Sequence, residues 1–210
     1  MRKLLLSSDS GFIFETGFKL LFDDISGIKL AYITTASKGA KNMNYIEIHK
    51  KKLSESGINF EEIDIDRKNE DELRKLLKDK NAIWVEGGNT FYLLKAVQES
   101  GFNRVIKEQI EKGVIYIGSS AGSYIMCPTI EMSTWKKPGE EKERFGITDL
   151  AALNLIPFLI KAHYNPSLEE FLKEKLANTK YPVKILKDGQ AILVEGNTYK
   201  LVGDGEEIKL

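Results

Sequence analysis

Short apolar runs rich in β-branched residues recur along the first 119 residues, and segments of helical periodicity separate them. This alternation limits the fold more than any other feature of the chain. Strands are expected at Lys3–Ser7, Lys29–Thr34, Asn59–Asp64, Ala82–Glu86 and Val114–Ser119, and helices near Phe12–Ile25, Asn42–Glu55, Glu70–Leu77, Phe91–Glu99 and Phe102–Glu111. The rhythm predicts right-handed βαβ units: a three-layer αβα fold with a mostly parallel sheet and helices on both faces. Toward the C-terminus the pattern changes. Val183–Leu186, Ala191–Glu195, Tyr199–Val202 and Glu207–Leu210 are closely spaced and punctuated by Asp188-Gly189, Gly196-Asn197 and Asp204-Gly205. Such pairs signal hairpin turns, so antiparallel strands are expected beside the parallel sheet. Ser167-Leu168-Glu169-Glu170 reads as a capping box opening a helix to about Ala177. There is no repeat, low-complexity tract or linker, and one domain over residues 1–210 is expected.

Lys plus Arg (31) equals Asp plus Glu (31), so charge gives no sign of a nucleic-acid or membrane partner. The longest apolar runs, Val114–Ile117 and Ala151–Ile160 among them, are too short for a bilayer. Ser7-Ser8-Asp9-Ser10 interrupts the opening Leu4-Leu5-Leu6 before it reaches signal-peptide length, which favours a first buried strand. The single cysteine, Cys127, forms no internal disulfide, and a cytoplasmic location is expected.

Gly118-Ser119-Ser120-Ala121-Gly122 is a G-x-S-x-G placed between an expected strand and an apolar segment reaching Cys127. A sharp strand-to-helix turn would hold Ser120 strained and projecting, and small neighbours let the backbone fold back closely. The Ala121 N–H would then be one donor to a developing oxyanion. The plain alternative is a small-residue turn that serves tight packing only. In the second loop, Gly87-Gly88-Asn89-Thr90, paired glycines permit close backbone approach. Gly88 N–H could supply a second oxyanion donor, with Asn89 close to substrate. An ordinary turn or an anion-binding loop are the alternatives, and neither nucleotide-binding glycine pattern is present.

Only two histidines are available. His49 lies in the charged segment Ile46–Lys52 and reads as a solvated surface residue, whereas His163 ends an apolar run in the loop region where α/β sites assemble. His163 is therefore the expected base for Ser120. With the acid sought between serine and histidine, the carboxylates are Glu131, Glu140, Glu141, Glu143 and Asp149. Lys136–Arg144 reads as a mobile charged loop, which leaves Glu131 and Asp149 as the better candidates.

These pieces, together with Cys127-Pro128-Thr129-Ile130, Ala152-Leu153-Asn154-Leu155, His163-Tyr164-Asn165-Pro166 and Glu195-Gly196-Asn197, resemble the peptidase E family of aspartyl dipeptidases, which includes cyanophycinase. The resemblance implies a class I glutamine amidotransferase-like, flavodoxin-like fold with serine at the elbow. It also implies metal-free and cofactor-free hydrolysis of a small peptide or isopeptide bond through an acyl-enzyme. It carries Ser120 over as nucleophile, His163 as base, and Gly88 and Ala121 as oxyanion donors. Two departures stand out. Where the family places its triad aspartate, fifteen residues after the serine, the chain has Trp135. No arginine follows His163 where the dipeptidases carry one to read an N-terminal aspartate, so aspartate specificity is not implied. Two other readings follow: a silent binding homologue lacking the acid, and a carboxylester hydrolase of the α/β-hydrolase type. Apolar strands near the C-terminus offer a surface for a homodimer.

Overall fold

The structure is a computed structural model that describes residues 2–40, 42–135 and 140–210. The chain opens with β1 (Lys3–Ser7), α1 (Ser10–Phe12), a π-helical turn at Ile13–Gly17 and α2 (Phe18–Leu21). It continues through β2 (Lys29–Ile33), α3 (Asn44–Glu55), β3 (Asn59–Ile63), α4 (Glu70–Leu77), β4 (Ala82–Val85), α5 (Thr90–Ser100), α6 (Phe102–Glu111) and β5 (Ile115–Ser119). After the short α7 (Ala121–Tyr124) come α8 (Glu140–Phe145), β6 (Leu159–Lys161), α9 (Glu169–Leu176), β7 (Val183–Ile185), β8 (Gln190–Glu195) and β9 (Thr198–Gly203).

The main sheet has the order β3-β2-β4-β5-β1-β8-β9. Its first five strands are parallel, β8 pairs antiparallel with β1, and β9 with β8. Burial on both faces explains the near-continuous apolar strands. Leu4, Leu6, Ala31, Ile33, Ile83, Val85 and Tyr116 meet residues of α4–α7 on one face. Leu5, Leu30, Tyr32, Ala82, Trp84 and Ile117 meet those of α1, α2 and α3 on the other. That is the period of two that a pleated strand imposes.

Five expectations change. The helix expected at Phe12–Ile25 ends at Leu21, because Asp24 draws the following backbone into its own cap by accepting from Ser26 N at 2.8 Å. Asp188-Gly189 does not close a hairpin between neighbouring strands. β7 pairs in parallel with β6 in a separate two-stranded sheet, so this turn carries the chain from one sheet to the other. Glu207–Leu210 forms only a single bridge, Ile208 to Ile185. Ser167 does not open α9: Asn165 caps a 3-10 turn over Pro166–Leu168, and the α-helix starts at Glu169. Of Lys136–Arg144, expected as a loop, residues 136–139 lie outside the described residues and α8 takes up the remainder.

Among the described residues no helix is long and apolar enough to cross a membrane. The C-terminal ends of β1, β4 and β5, three adjacent strands, share one edge, where open α/β sheets gather functional groups.

Candidate active site

Beyond the end of β5 the chain reverses at Ser120, whose φ of 47° and ψ of −105° are strained for a residue with a Cβ. The surroundings hold it there. Ser120 N donates to Ser7 O at 3.0 Å, and Ser123 Oγ donates to Ser7 O and Gly118 O at 2.8 and 2.9 Å. A Cβ on Gly122 would stand 2.0 Å from Val85 O, so the last glycine of the motif is required by the contact of α7 with β4. The apolar segment after Ser120 is helical only to Tyr124 and then turns.

His163 follows β6, also at positive φ (59°), with its N–H donating to Ser8 Oγ at 2.9 Å. Its Nε2 lies 2.9 Å from Ser120 Oγ and its Nδ1 2.7 Å from Asp188 Oδ1. Ser8 Oγ donates to the same carboxylate oxygen at 2.8 Å. Ser120 and His163 are thus brought together, and the carboxylate that completes the chain of hydrogen bonds is one that sequence reasoning missed.

Glu131 and Asp149, the acids favoured from the sequence, lie elsewhere. Glu131 accepts from Thr179 Oγ1 at 2.6 Å, and Asp149 is an exposed residue accepting from Ala151 N at 2.8 Å. Glu143 is exposed on α8, and the side chains of Glu140 and Glu141 lie outside the described residues. Trp135 packs half-buried against the main core. The physical reason is the β6–β7 pairing. Lys161 stands opposite Ile185, so residues just beyond the two strand ends, His163 and Asp188, emerge side by side. The carboxylate beside His163 therefore follows the histidine in chain order, and its Asp-Gly sequence has the appearance of turn chemistry alone.

At the end of β4, Gly88 has φ 147°, and a Cβ there would stand 2.4 Å from Ala36 O. Asn89 caps α5, its Oδ1 accepting from Tyr92 N at 2.9 Å. Neither Gly88 N–H nor Ala121 N–H donates to a protein acceptor among the described residues. A cavity of about 530 Å³ opens over this edge, lined by Ser120, His163, Gly88, Asn89, Tyr45 and His49 among others.

His49 is not the solvated residue its sequence neighbours suggest. It shares a face of α3 with buried Ile46 and Leu53, the i, i+3, i+7 spacing that signals the inner stripe of a helix, and this was the legible clue. Its ring lies among those of Phe14, Tyr45 and Trp84, and its Nδ1 is 2.9 Å from Glu86 Oε2. Glu86, 1% exposed, is a second residue the sequence did not single out. Its Oε1 accepts from Ser10 Oγ, Ser119 Oγ and Gly87 N at 2.6, 2.6 and 2.7 Å, and its Oε2 from Tyr32 OH at 2.7 Å. Burial alone would raise its pKa, but the bonds from His49, Ser10 and Ser119 outweigh burial and hold it below the usual carboxylate value.

The profile of peptidase family S51 matches residues 4–202. The chain belongs to peptidase family S51. Its S51 relatives include an uncharacterized peptidase of Pasteurella multocida, 30% identical over 97% of this chain and 99% of that one. An uncharacterized peptidase of Listeria monocytogenes is 32% identical over 82% of this chain and 85% of its own length. A peptidase E of a Nostoc species is 30% identical over 84% and 73%. The crystal structure of a Listeria monocytogenes protein assigned to peptidase E superposes with a TM-score of 0.84 at 28% identity, covering 98% of this chain and all (100%) of that one. S51 membership supports a peptidase function, and the αβα, flavodoxin-like sheet agrees with that neighbour.

Proposed function

We propose that this S51 chain is a serine-type peptidase or amidase that cleaves a small peptide or isopeptide bond through an acyl-enzyme on Ser120. The observation that carries the reading is the line of contacts from Ser120 Oγ to His163 Nε2 (2.9 Å) and from His163 Nδ1 to Asp188 Oδ1 (2.7 Å). In this reading His163 Nε2 takes the Ser120 proton as Oγ attacks the scissile carbonyl carbon. Asp188 holds the Nδ1–H tautomer and stabilises the imidazolium. The C–N bond then breaks as His163 returns that proton to the leaving nitrogen, giving an ester on Ser120. Water, deprotonated by the same imidazole, hydrolyses the ester and restores the serine. Gly88 N–H and Ala121 N–H, both without protein acceptors among the described residues, are suited to receive the negative charge of each tetrahedral intermediate. The cavity's about 530 Å³ suits a substrate of a few residues. The reading as a silent binding homologue rested on a missing acid, and Asp188 removes that motive.

The test is chemical. A fluorophosphonate probe is expected to label the wild-type chain stoichiometrically at Ser120, and to leave Ser120→Ala unlabelled, as read by intact mass and peptide mapping. No labelling of the wild type between neutral and alkaline pH would sink the proposal.

A further inference from the structure

Tyr45, at the start of α3, lies across the cavity wall with its hydroxyl donating to Gly87 O at 2.8 Å. The peptide it grips joins Gly87 to Gly88, and its N–H is the proposed oxyanion donor at that side of the site. A peptide between two glycines has no Cβ on either side to resist rotation, so its orientation is poorly fixed by the local sequence. Rotating it would exchange a donor for a carbonyl oxygen, which would repel the very charge that a hydrolase must stabilise. The structure supplies restraints at both ends of Gly87. Its N–H donates to Glu86 Oε1 at 2.7 Å and to Ser119 Oγ at 3.1 Å, and its carbonyl is taken by Tyr45. Because the carbonyl and N–H of a trans peptide point in opposite directions, holding Gly87 O toward Tyr45 turns Gly88 N–H away from it.

We propose that Tyr45 is a positioning residue for the oxyanion peptide: by holding the Gly87 carbonyl, its hydroxyl keeps Gly88 N–H available to a substrate carbonyl oxygen at Ser120. The inference rests on the hydrolase reading above and adds a latch that neither the serine motif nor the glycine pair contains. Two further observations agree with it. Burial, with the nearby Glu86 charge adding to it, pushes the Tyr45 pKa up to about 12, so the hydroxyl remains a proton donor through the pH range in which a serine hydrolase works. Tyr45 also packs edge-on to the His49 ring at 5.7 Å between centroids, and His49 is itself tied to Glu86. The two restraints on Gly87 thus come from one connected wall.

The experiment compares wild type, Tyr45→Phe and Tyr45→Leu in 4-nitrophenyl acetate turnover and in the rate of fluorophosphonate labelling, each taken per folded molecule from near-ultraviolet dichroism. Removing an oxyanion donor outright costs roughly 10²–10³ in kcat, and loosening one is expected to cost roughly 10- to 100-fold. Tyr45→Phe should therefore lower kcat and the maximal labelling rate by that factor, with KM within about twofold. Tyr45→Leu, which removes the ring as well, should lose the same factor in kcat. Tyr92→Phe, which removes a hydroxyl bonded to Asp66 at 2.9 Å, should leave both rates unchanged. A wild type that reacts while both Tyr45 variants match its kcat overturns the latch alone, as does a loss confined to KM. A wild type that neither turns over nor labels overturns the hydrolase reading and the latch with it.

Discussion

Asp188→Asn is expected to lower kcat/KM for any hydrolysed substrate, and the rate of fluorophosphonate labelling, by roughly 10³- to 10⁴-fold. An asparagine at this position turns either an amide N–H₂ or a carbonyl toward His163 Nδ1. The amide would favour the tautomer that places a hydrogen on Nε2, the atom that must accept the Ser120 proton. The carbonyl keeps the right tautomer but withdraws the charge that steadies the imidazolium. The side chain of Asp188 is 63% exposed, so water can take over part of that second role, and the lower end of the range reflects it. Structural damage should be slight, since the lost contacts are confined to His163 and Ser8 at an exposed turn. Glu131→Gln and Asp149→Asn serve as controls and should react at the wild-type rate. If Asp188→Asn labels as fast as the wild type, Asp188 is not the acid of this site.

Much of this fold could be read from sequence, and what could not follows one physical division. The five parallel strands and helices α4 and α6 emerge within a residue of expectation, because two-sided burial writes a continuous apolar run and an exposed helix writes a period of 3.6. That Ser120 and His163 would meet was also legible, since the G-x-S-x-G motif is local and the chain offers only two histidines. Asp188 was not, because its role depends on which strand β7 pairs with. Parallel pairing to β6 is a non-local fact, while the Asp-Gly pair advertises a local hairpin. Glu86 escaped for a related reason: at the end of a buried strand a lone carboxylate looks like the first exposed residue of a loop. Only the fold shows that five donors from α1, β2, α3, β5 and the loop after β4 converge on it. His49 lies between these cases, its inner-face spacing visible but masked by the lysines around it.

Removing that carboxylate should be the most damaging single change to stability. Glu86→Ala is expected to destabilise the chain by about 3–5 kcal/mol at neutral pH, because it strands donors inside the protein rather than only deleting contacts. Ser10, Tyr32, Ser119 and His49 would lose this acceptor, Gly87 N–H would keep only Ser119 Oγ, and His49 would keep a ring hydrogen facing an apolar wall of Trp84 and Phe14. For a chain of this size the loss corresponds to a melting shift on the order of 10 °C, readable in urea or thermal unfolding. The pH dependence gives an independent check. Glu86 is held below its ordinary value of 4.5, so it binds its proton more weakly folded than unfolded. Its contribution is present in full above the unfolded value and is lost as pH falls from there through the depressed folded value. Glu86→Gln, which fills the same volume but cannot ionise, lacks that dependence. Its urea midpoint should therefore drop less than the wild type's between pH 6 and roughly pH 3.5. Equal drops would mean that the folded and unfolded chains hold the Glu86 proton alike, and the cluster around it would not then be the ionic anchor that its five contacts describe.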